Sequence, residues 1–487
     1  MEIQFEQKSV RFLCRTAWGE KTVEETAEIK LPGQELSPEQ ILGAWGQPCL
    51  TEKHWSDGAV SVSGGVNAWV LLQDAEGVQC VAGWIPFKQS WDLHDSQRDG
   101  KVVVRSSLRS VDARMTGAGK LIITAQVSLY LQALEPCAVN RYLPPQLPED
   151  VHVQKKNITV TVPMEVGEKR VSMDEELGTA QSVFAVLYHR TQPRAAECRV
   201  MGDKLVFRGE VTLDALCRGE DGESFMAHAE YPVSQYIQLD SEYGSRANAD
   251  VIPVVLSAEV DKNEEGKLSF HGNVLWQYIL HDEVELEGVA DAYSNRRKVE
   301  MDMTQLCIPA LVGKDSKQEC SCELSAAYET VIDQTVMAVC AEWDERTGKL
   351  QQEGAVRVLC RNEEGQLQSA LLPFEAELTF AQDGDGYAVA ADQKPAEAVA
   401  EQGQLRVRIP YSMYSMEDVC LPCCKGIVIE DAVGQKERRP CYILRRAGKE
   451  SLWQIAKTCG STEEAIRTAN GFDGEAEQGR MLLIPVE

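Results

Sequence analysis

The sequence predicts a mainly β chain: three tandem antiparallel β-rich domains followed by a small α+β module of βααβ order. Three observations carry that prediction. Gly64, Gly209 and Gly354 recur at one interval, 145 positions each. Apolar and polar residues largely alternate along runs such as Leu121–Tyr130 and Val104–Val111, the period of a strand with one buried face. Beyond Cys441 the alternation gives way to two helix-start patterns, Ser451 with Gln454 and Ser461 with Glu464. In such a pair the hydroxyl accepts an orphan helix N–H and the side chain three residues on reaches back to the cap.

The repeat extends well beyond the three glycines. A turn glycine follows each run (Gly77, Gly222, Gly365), and a proline-led strand follows that: Ile85-Pro86-Phe87, Tyr231-Pro232-Val233 and Leu372-Pro373-Phe374. Gly119, Gly266 and Gly403 then open a further alternating run, and Pro163-x-x-Val166-Gly167 matches Pro309-x-x-Val312-Gly313, with Trp18-Gly19 at the equivalent place in the first copy. Self-similarity at a fixed period is the mark of repeated units. A period this long exceeds a solenoid repeat, so each copy is expected to be a complete domain with its own core. The boundaries fall at 1–145, 146–290, 291–435 and 440–487. Short linkers are expected where prolines and charges gather: Leu134 to Val151, Glu287 to Val299, and Lys425 to Arg439. One helix is expected inside the first copy, because Ser37-Pro38-Glu39-Gln40 is a capping pattern with proline at the first helical position, leading into Ile41 and Leu42.

Composition bounds the function. The chain has 487 residues, 44% of them hydrophobic, which suffices for several cores. Acidic residues number 76 against 49 basic ones, a formal charge of -27. With no basic stripe interleaved with aromatics, a nucleic-acid partner is not expected, since phosphate neutralisation needs clustered cations. From Pro440 onward there are 6 basic and 7 acidic residues, so the acidic excess lies upstream. Lys436, Arg438, Arg439, Arg445 and Arg446 form a weak basic patch at that junction, read as a solvated linker and strand edge. The first ten residues lack the positively charged start and apolar run of a signal peptide, and no stretch reaches the length of a membrane helix, so no signal peptide and no membrane span are expected.

The 16 cysteines are expected to be mostly unpaired thiols in a reducing compartment. Cys14, Cys217, Cys340 and Cys360 sit in alternating runs, where cysteine behaves as a small core hydrophobe. For the denser Cys320-Ser-Cys322 and Cys420-Leu-Pro-Cys423-Cys424, packing stands beside late oxidative cross-linking and metal binding, although a Cys-x-x-Cys without a second pair is a weak metal signal. The seven histidines (His54, His94, His152, His189, His228, His271, His281) are scattered, and no His-x-x-Glu-His, Gly-x-Ser-x-Gly or phosphate-loop pattern occurs. The expectation is therefore no catalytic residue, no metal, no cofactor and no enzyme.

In the C-terminal module two short helices on a two-stranded sheet would share Ile455, Ala456, Ile466 and Ile484 as a core. Its tyrosine-led strand, Leu452-Trp453-x-Ile455-Ala456 helix, Asn470-Gly471 and terminal Ile484-Pro485 are similar to the LysM family. The resemblance implies a shallow groove for N-acetylglucosamine polymers between two loops, which here are Gly448, Lys449, Glu450, Ser451 and Leu452, and Asn470, Gly471 and Phe472. The family's usual Gly-Asp-Thr-Leu is one residue longer here and lacks its aspartate, so a protein ligand is expected in preference to sugar. Trp453, Ile466 or Phe472 would anchor that ligand, with Arg445 and Arg446 at the rim.

Over nearly its whole length the chain resembles the SPOCS-domain proteins of endospore-forming Firmicutes. The matching traits are Glu25-Thr26-Ala27-Glu28-Ile29-x-Leu31-Pro32, Gly64-x-Val66, Ile85-Pro86-Phe87, and Val111-Asp112-Ala113 before Gly119-Lys120-Leu121. Copies two and three keep the glycines and prolines but lose the Glu-Thr-Ala opening. The resemblance implies a structural adaptor in the mother-cell cytoplasm, at the forespore surface or spore coat. The implied partner is the coat's basal-layer ATPase or another coat protein, with peptidoglycan or N-acetylglucosamine oligomers as the alternative ligand.

Overall fold

The computed structural model describes residues 1–31, 37–74, 77–93, 100–116, 119–179, 181–263, 267–323, 330–344, 349–379, 387–393, 397–401, 404–430 and 441–486. Within them the alternating runs are antiparallel strands, and α-helix is confined to two short C-terminal segments. The first group is β1 (Glu2–Gln4), β2 (Glu6–Lys30), β3 (Ile41–Ser56), β4 (Ala59–Asp74), β5 (Gly77–Asp92), β6 (Lys101–Met115) and β7 (Lys120–Leu143). One sheet has the order β2-β7-β6 and another β3-β4-β5. The second group is β8 (Val151–Leu177), β9 (Val183–Gly219), β10 (Ser224–Tyr243), β11 (Asn248–Lys262) and β12 (Leu268–Ser294), paired as β8-β12-β11 and β9-β10. The third is β13 (Lys298–Glu323), β14 (Thr330–Asp344), β15 (Lys349–Arg361), β16 (Leu367–Thr379), β17 (Tyr387–Gln393), β18 (Glu397–Glu401) and β19 (Gln404–Glu430). Here β14-β15-β16 form a sheet, while β13, β17 and β18 line β19. β1 crosses to this third group, with Ile3 opposite Ile427.

The strand registers repeat with the sequence. Gly64 lies opposite Phe87, Gly209 opposite Val233 and Gly354 opposite Phe374. One step along, Gly65 faces Pro86, Glu210 faces Pro232 and Ala355 faces Pro373. Crowding explains the glycines at two of these places. A Cβ on Gly64 would stand 2.3 Å from the Cys49 carbonyl oxygen, and one on Gly209 would stand 2.4 Å from that of Arg194, so the neighbouring backbone leaves no room for a side chain. Gly266 and Gly403, expected to open later strands, lie outside the described residues.

Each group has its own buried cluster, around Val62 and Val70, around Phe207 and Trp276, and around Val358 and Val407. Further clusters join the groups, which the expectation of self-contained domains omits. Phe12, Val160 and Leu306, from β2, β8 and β13, share one core with Leu286, Leu421 and Cys423. Elsewhere residues about one period apart touch directly. The Tyr188 hydroxyl donates to Asp333 at 2.6 Å, Arg190 donates to Thr335, and the Thr191 N–H donates to Gln47 at 2.8 Å. The Trp45 ring stacks on Tyr188 at 4.9 Å, and Arg357 lies over Trp45 while donating to the Val111 carbonyl and Asp112. All three pairs of groups are thereby in contact. Between the first and second groups and between the second and third, the residues that meet lie about one period apart; the contact of Arg357 with Trp45 joins the third group to the first without that spacing.

The expected linkers are largely strand. β7 runs to Leu143, and β12 continues through Glu287 to Ser294 paired with β8. Glu287, inside the second expected linker, ion-pairs with Lys155 of β8 at 2.6 Å, while Pro144, Pro145 and Pro148, and residues 295–297, do lie between strands. Residues 431–440, which include Lys436, Arg438 and Arg439, lie outside the described residues. The expected helix at Ser37 is a single 3-10 turn, Pro38–Gln40, closed by the Ser37 N–H donating to the Gln40 side chain. Pairing of Ile41 with Leu72 commits the following residues to β3, and that tertiary pairing outweighs the local helix signal. Among the cysteines, Cys307 and Cys420 face each other across β13 and β19 and are disulfide-bonded. Cys423 and Cys424 are buried separately, and thirteen cysteines of the described residues are free thiols. Among the described residues no helix is long and apolar enough to cross a membrane, and no group of three metal-binding side chains occurs.

Candidate binding site

The C-terminal module consists of β20 (Cys441–Arg446), α1 (Leu452–Cys459), α2 (Glu463–Asn470) and β21 (Met481–Val486). Ser451 caps α1 as its spacing predicts, accepting from the Gln454 N–H while Gln454 accepts from the Ser451 N–H. The cap of α2 sits one residue later than expected: Thr462 accepts from the Ala465 N–H at 3.0 Å, and Ser461 is buried. Ile455, Ala456, Ile466 and Ile484 are all buried in the module's core, joined by Leu452 and Leu482.

The Leu452 N–H donates to the Glu475 carboxylate at 2.8 Å, which ties the first expected groove loop to the segment that follows the second. Most of the groove residues are nevertheless occupied with holding the module together. Leu452 is core, and Gly471 ends α2 at φ +63°, a left-handed position that suits glycine. The Asn470 amide donates to the Leu483 carbonyl at 2.7 Å and accepts from the Leu483 N–H at 2.8 Å, so it pairs with β21 as another strand would. Phe472 is half-buried beneath the Arg480 guanidinium, and Glu450 accepts from Arg445. Gly448 and Lys449 are exposed.

The expected anchors are differently placed too. Ile466 is fully buried. Trp453 is buried where the module's own core meets β12: its indole N–H donates to Asp291 of β12 at 2.7 Å, and its ring meets Tyr293 edge-on at 4.8 Å. Lys457 donates to both Asp291 oxygens, and the Tyr293 hydroxyl donates to the Ser461 carbonyl at 2.8 Å. Burial disfavours charge on Asp291, but hydrogen bonds from Lys457 and Trp453 outweigh it and leave the carboxyl below its ordinary pKa. Burial, then nearby Glu463 and Asp291, pushes Tyr293 up to about 12. The module is therefore fastened to the second strand group through α1 and the turn before α2. Asp291 and Tyr293 escaped sequence reasoning because they fall in a stretch read as linker, where a register shift between Val289 and Asp291 interrupts the strand period.

Comparison with known proteins returns no family model, no curated protein and no solved structure that matches the chain.

Proposed function

We propose that the chain is a non-enzymatic adaptor of endospore coat assembly: three SPOCS-like β domains, at about the boundaries the repeat gives, carrying a LysM-type module that binds a coat protein. Carrying this reading is the fixed mounting of the module, with Trp453, Lys457 and Ser461 held by Asp291 and Tyr293. A small domain held by a larger body presents one surface at a defined angle, as a protein that joins two others requires. The recurring registers support the three-domain reading, and the resemblance supplies the setting, the mother cell at the forespore surface. It also supplies the partner, the basal-layer ATPase of the coat. Commitment of Asn470, Gly471 and Leu452 to the module's own backbone and core favours a protein ligand over N-acetylglucosamine oligomers.

Affinity purification from sporulating cells tests this with a tagged full chain and a chain ending before residue 440. The coat ATPase should be retained by the first and lost by the second. Equal retention by both would overturn the assignment of binding to the module.

A further inference from the structure

β20 is an open strand edge with an apolar face. Tyr442 is 68% exposed, Leu444 69% and Met481 55%. Cross-strand partners share a face, and the pairs Tyr442 with Pro485, Leu444 with Leu483 and Arg446 with Met481 place these side chains together on the side away from the buried Leu482 and Ile484. The helices, and through them the rest of the chain, occupy the opposite side.

The two edges of this sheet differ. On β21 the Leu483 N–H and carbonyl are both taken by Asn470, and Pro485 has no N–H to offer. Since the backbone groups of Leu483 point outward, Leu444 opposite it is a non-hydrogen-bonded pair, and by the antiparallel alternation Tyr442 and Arg446 are too. Their N–H and carbonyl groups therefore point to the outer edge of β20. Among the described residues β20 pairs with β21 alone. Protected edges carry charged side chains, a proline or a bulge; on β20 the charges, Arg445 and Arg446, are confined to its end, and Cys441-Tyr442-Ile443-Leu444 has none of these.

We infer that another protein's extended segment adds to this edge as an antiparallel strand, with apolar side chains opposite Tyr442 and Leu444 and an acidic one opposite Arg446. This rests on the reading of the module as a protein-binding one and names its surface, which is β20 rather than the two loops. Main-chain hydrogen bonds would supply affinity and alternate side chains specificity. The occupant is a foreign segment and not a second copy. Self-pairing centred on Leu444 sets Arg446 against Tyr442 rather than an acid, and both copies carry a charge of -27, which opposes association.

The test uses the full chain and a fluorescein-labelled peptide, Thr-Glu-Thr-Val-Thr-Val-Thr, which sets Glu opposite Arg446 and Val opposite Leu444 and Tyr442. Anisotropy should show saturable binding at about 10–100 μM, with new hydrogen-exchange protection over 441–446. Leu444→Lys should weaken it at least ~10-fold, as should a peptide N-methylated on its pairing residues or one with Lys for Glu; Lys449→Ala should not. Leu444 is exposed, and an unchanged melting temperature checks that its variant folds. Absence of binding, equal binding of the N-methylated peptide, or protection at 448–452 and 470–472 instead would overturn the inference. So would concentration-dependent dimerisation abolished by Leu444→Lys, which would make a second copy the occupant. If the peptide fails while the ATPase is still retained only by the full chain, the edge is wrong and the adaptor stands. If the peptide binds but truncation at residue 440 leaves ATPase retention unchanged, the edge is right and the adaptor reading falls.

Discussion

Replacing Asp291 by alanine should release the C-terminal module without unfolding either partner. Asp291 accepts from the Trp453 indole at 2.7 Å and from Lys457 at 2.7 and 2.9 Å. A hydrogen bond to a charged group contributes about 1.5–3 kcal/mol. The ion pair adds only about 0.2–1 kcal/mol, because Lys457 is 41% exposed and water screens it. Loss of both weakens docking by about 2–4 kcal/mol, or roughly 30- to 1000-fold in the docking equilibrium. The cost falls on docking alone, since an undocked Trp453 regains water as a partner. Hydrogen exchange over 452–461 reads it, as a segment held against β12 exchanges faster once its cover opens more often. Exchange over β4 should stay unchanged. Lys457→Ala alone should cost less than Asp291→Ala, and the double variant no more than the sum. Unchanged exchange over 452–461 in Asp291→Ala would refute the mounting as drawn.

Burial holds His281 down to about 3, with Arg15 adding to it, and holds His189 down to about 4. Both are neutral in the fold and protonate first in the unfolded chain, so their stabilisation is complete above about pH 6.5 and fades as pH falls toward about 4 for His189 and about 3 for His281. The melting temperature should drop across that window, and His281→Gln should flatten the drop; a pH-independent melt would contradict the burial of both rings. Gly64→Ala places a Cβ 2.3 Å from the Cys49 carbonyl oxygen and should cost at least about 2 kcal/mol in denaturant titration, and a neutral effect would refute the close approach. Cys307→Ser, which opens a loop spanning 113 residues, should lower stability by up to about 4–5 kcal/mol on the chain-entropy account, measurable under non-reducing conditions. No change would mean that this bond does not form. Thiol counting that found six or more disulfides would remove the cytoplasmic expectation as well.

How much of this was legible depended on whether a feature leaves a periodic trace. The β class was legible because alternation over long runs has one structural meaning. The interval between Gly64, Gly209 and Gly354 was legible because close backbone approach, seen at Gly64 and Gly209, leaves no room for a side chain, so the constraint prints itself at a fixed spacing. The packing of the three groups on one another was not. Its contacts join Trp45 to Tyr188, Tyr188 to Asp333 and Arg357 to Trp45, and such chemically mixed pairs leave no repeating pattern. The expected linkers hold in part: Pro144, Pro145 and Pro148 lie between β7 and β8, whereas 134–143 and 287–294 are paired strand, because tertiary pairing there outweighs the local charge signal. At the site, Asn470 and Gly471 were found by resemblance. Their work, clamping Leu483 and ending α2, is structural and invisible without coordinates.

The adaptor reading turns on what the C-terminal module prefers, and calorimetry with the full chain measures that directly. Titrated in parallel with the basal-layer coat ATPase and with N-acetylglucosamine oligomers, the chain should bind the ATPase at about micromolar affinity or tighter and give no heat above dilution with the sugar. Saturable micromolar binding of the oligomers, abolished by changing Lys449 and Phe472 together, with none of the ATPase, would contradict it.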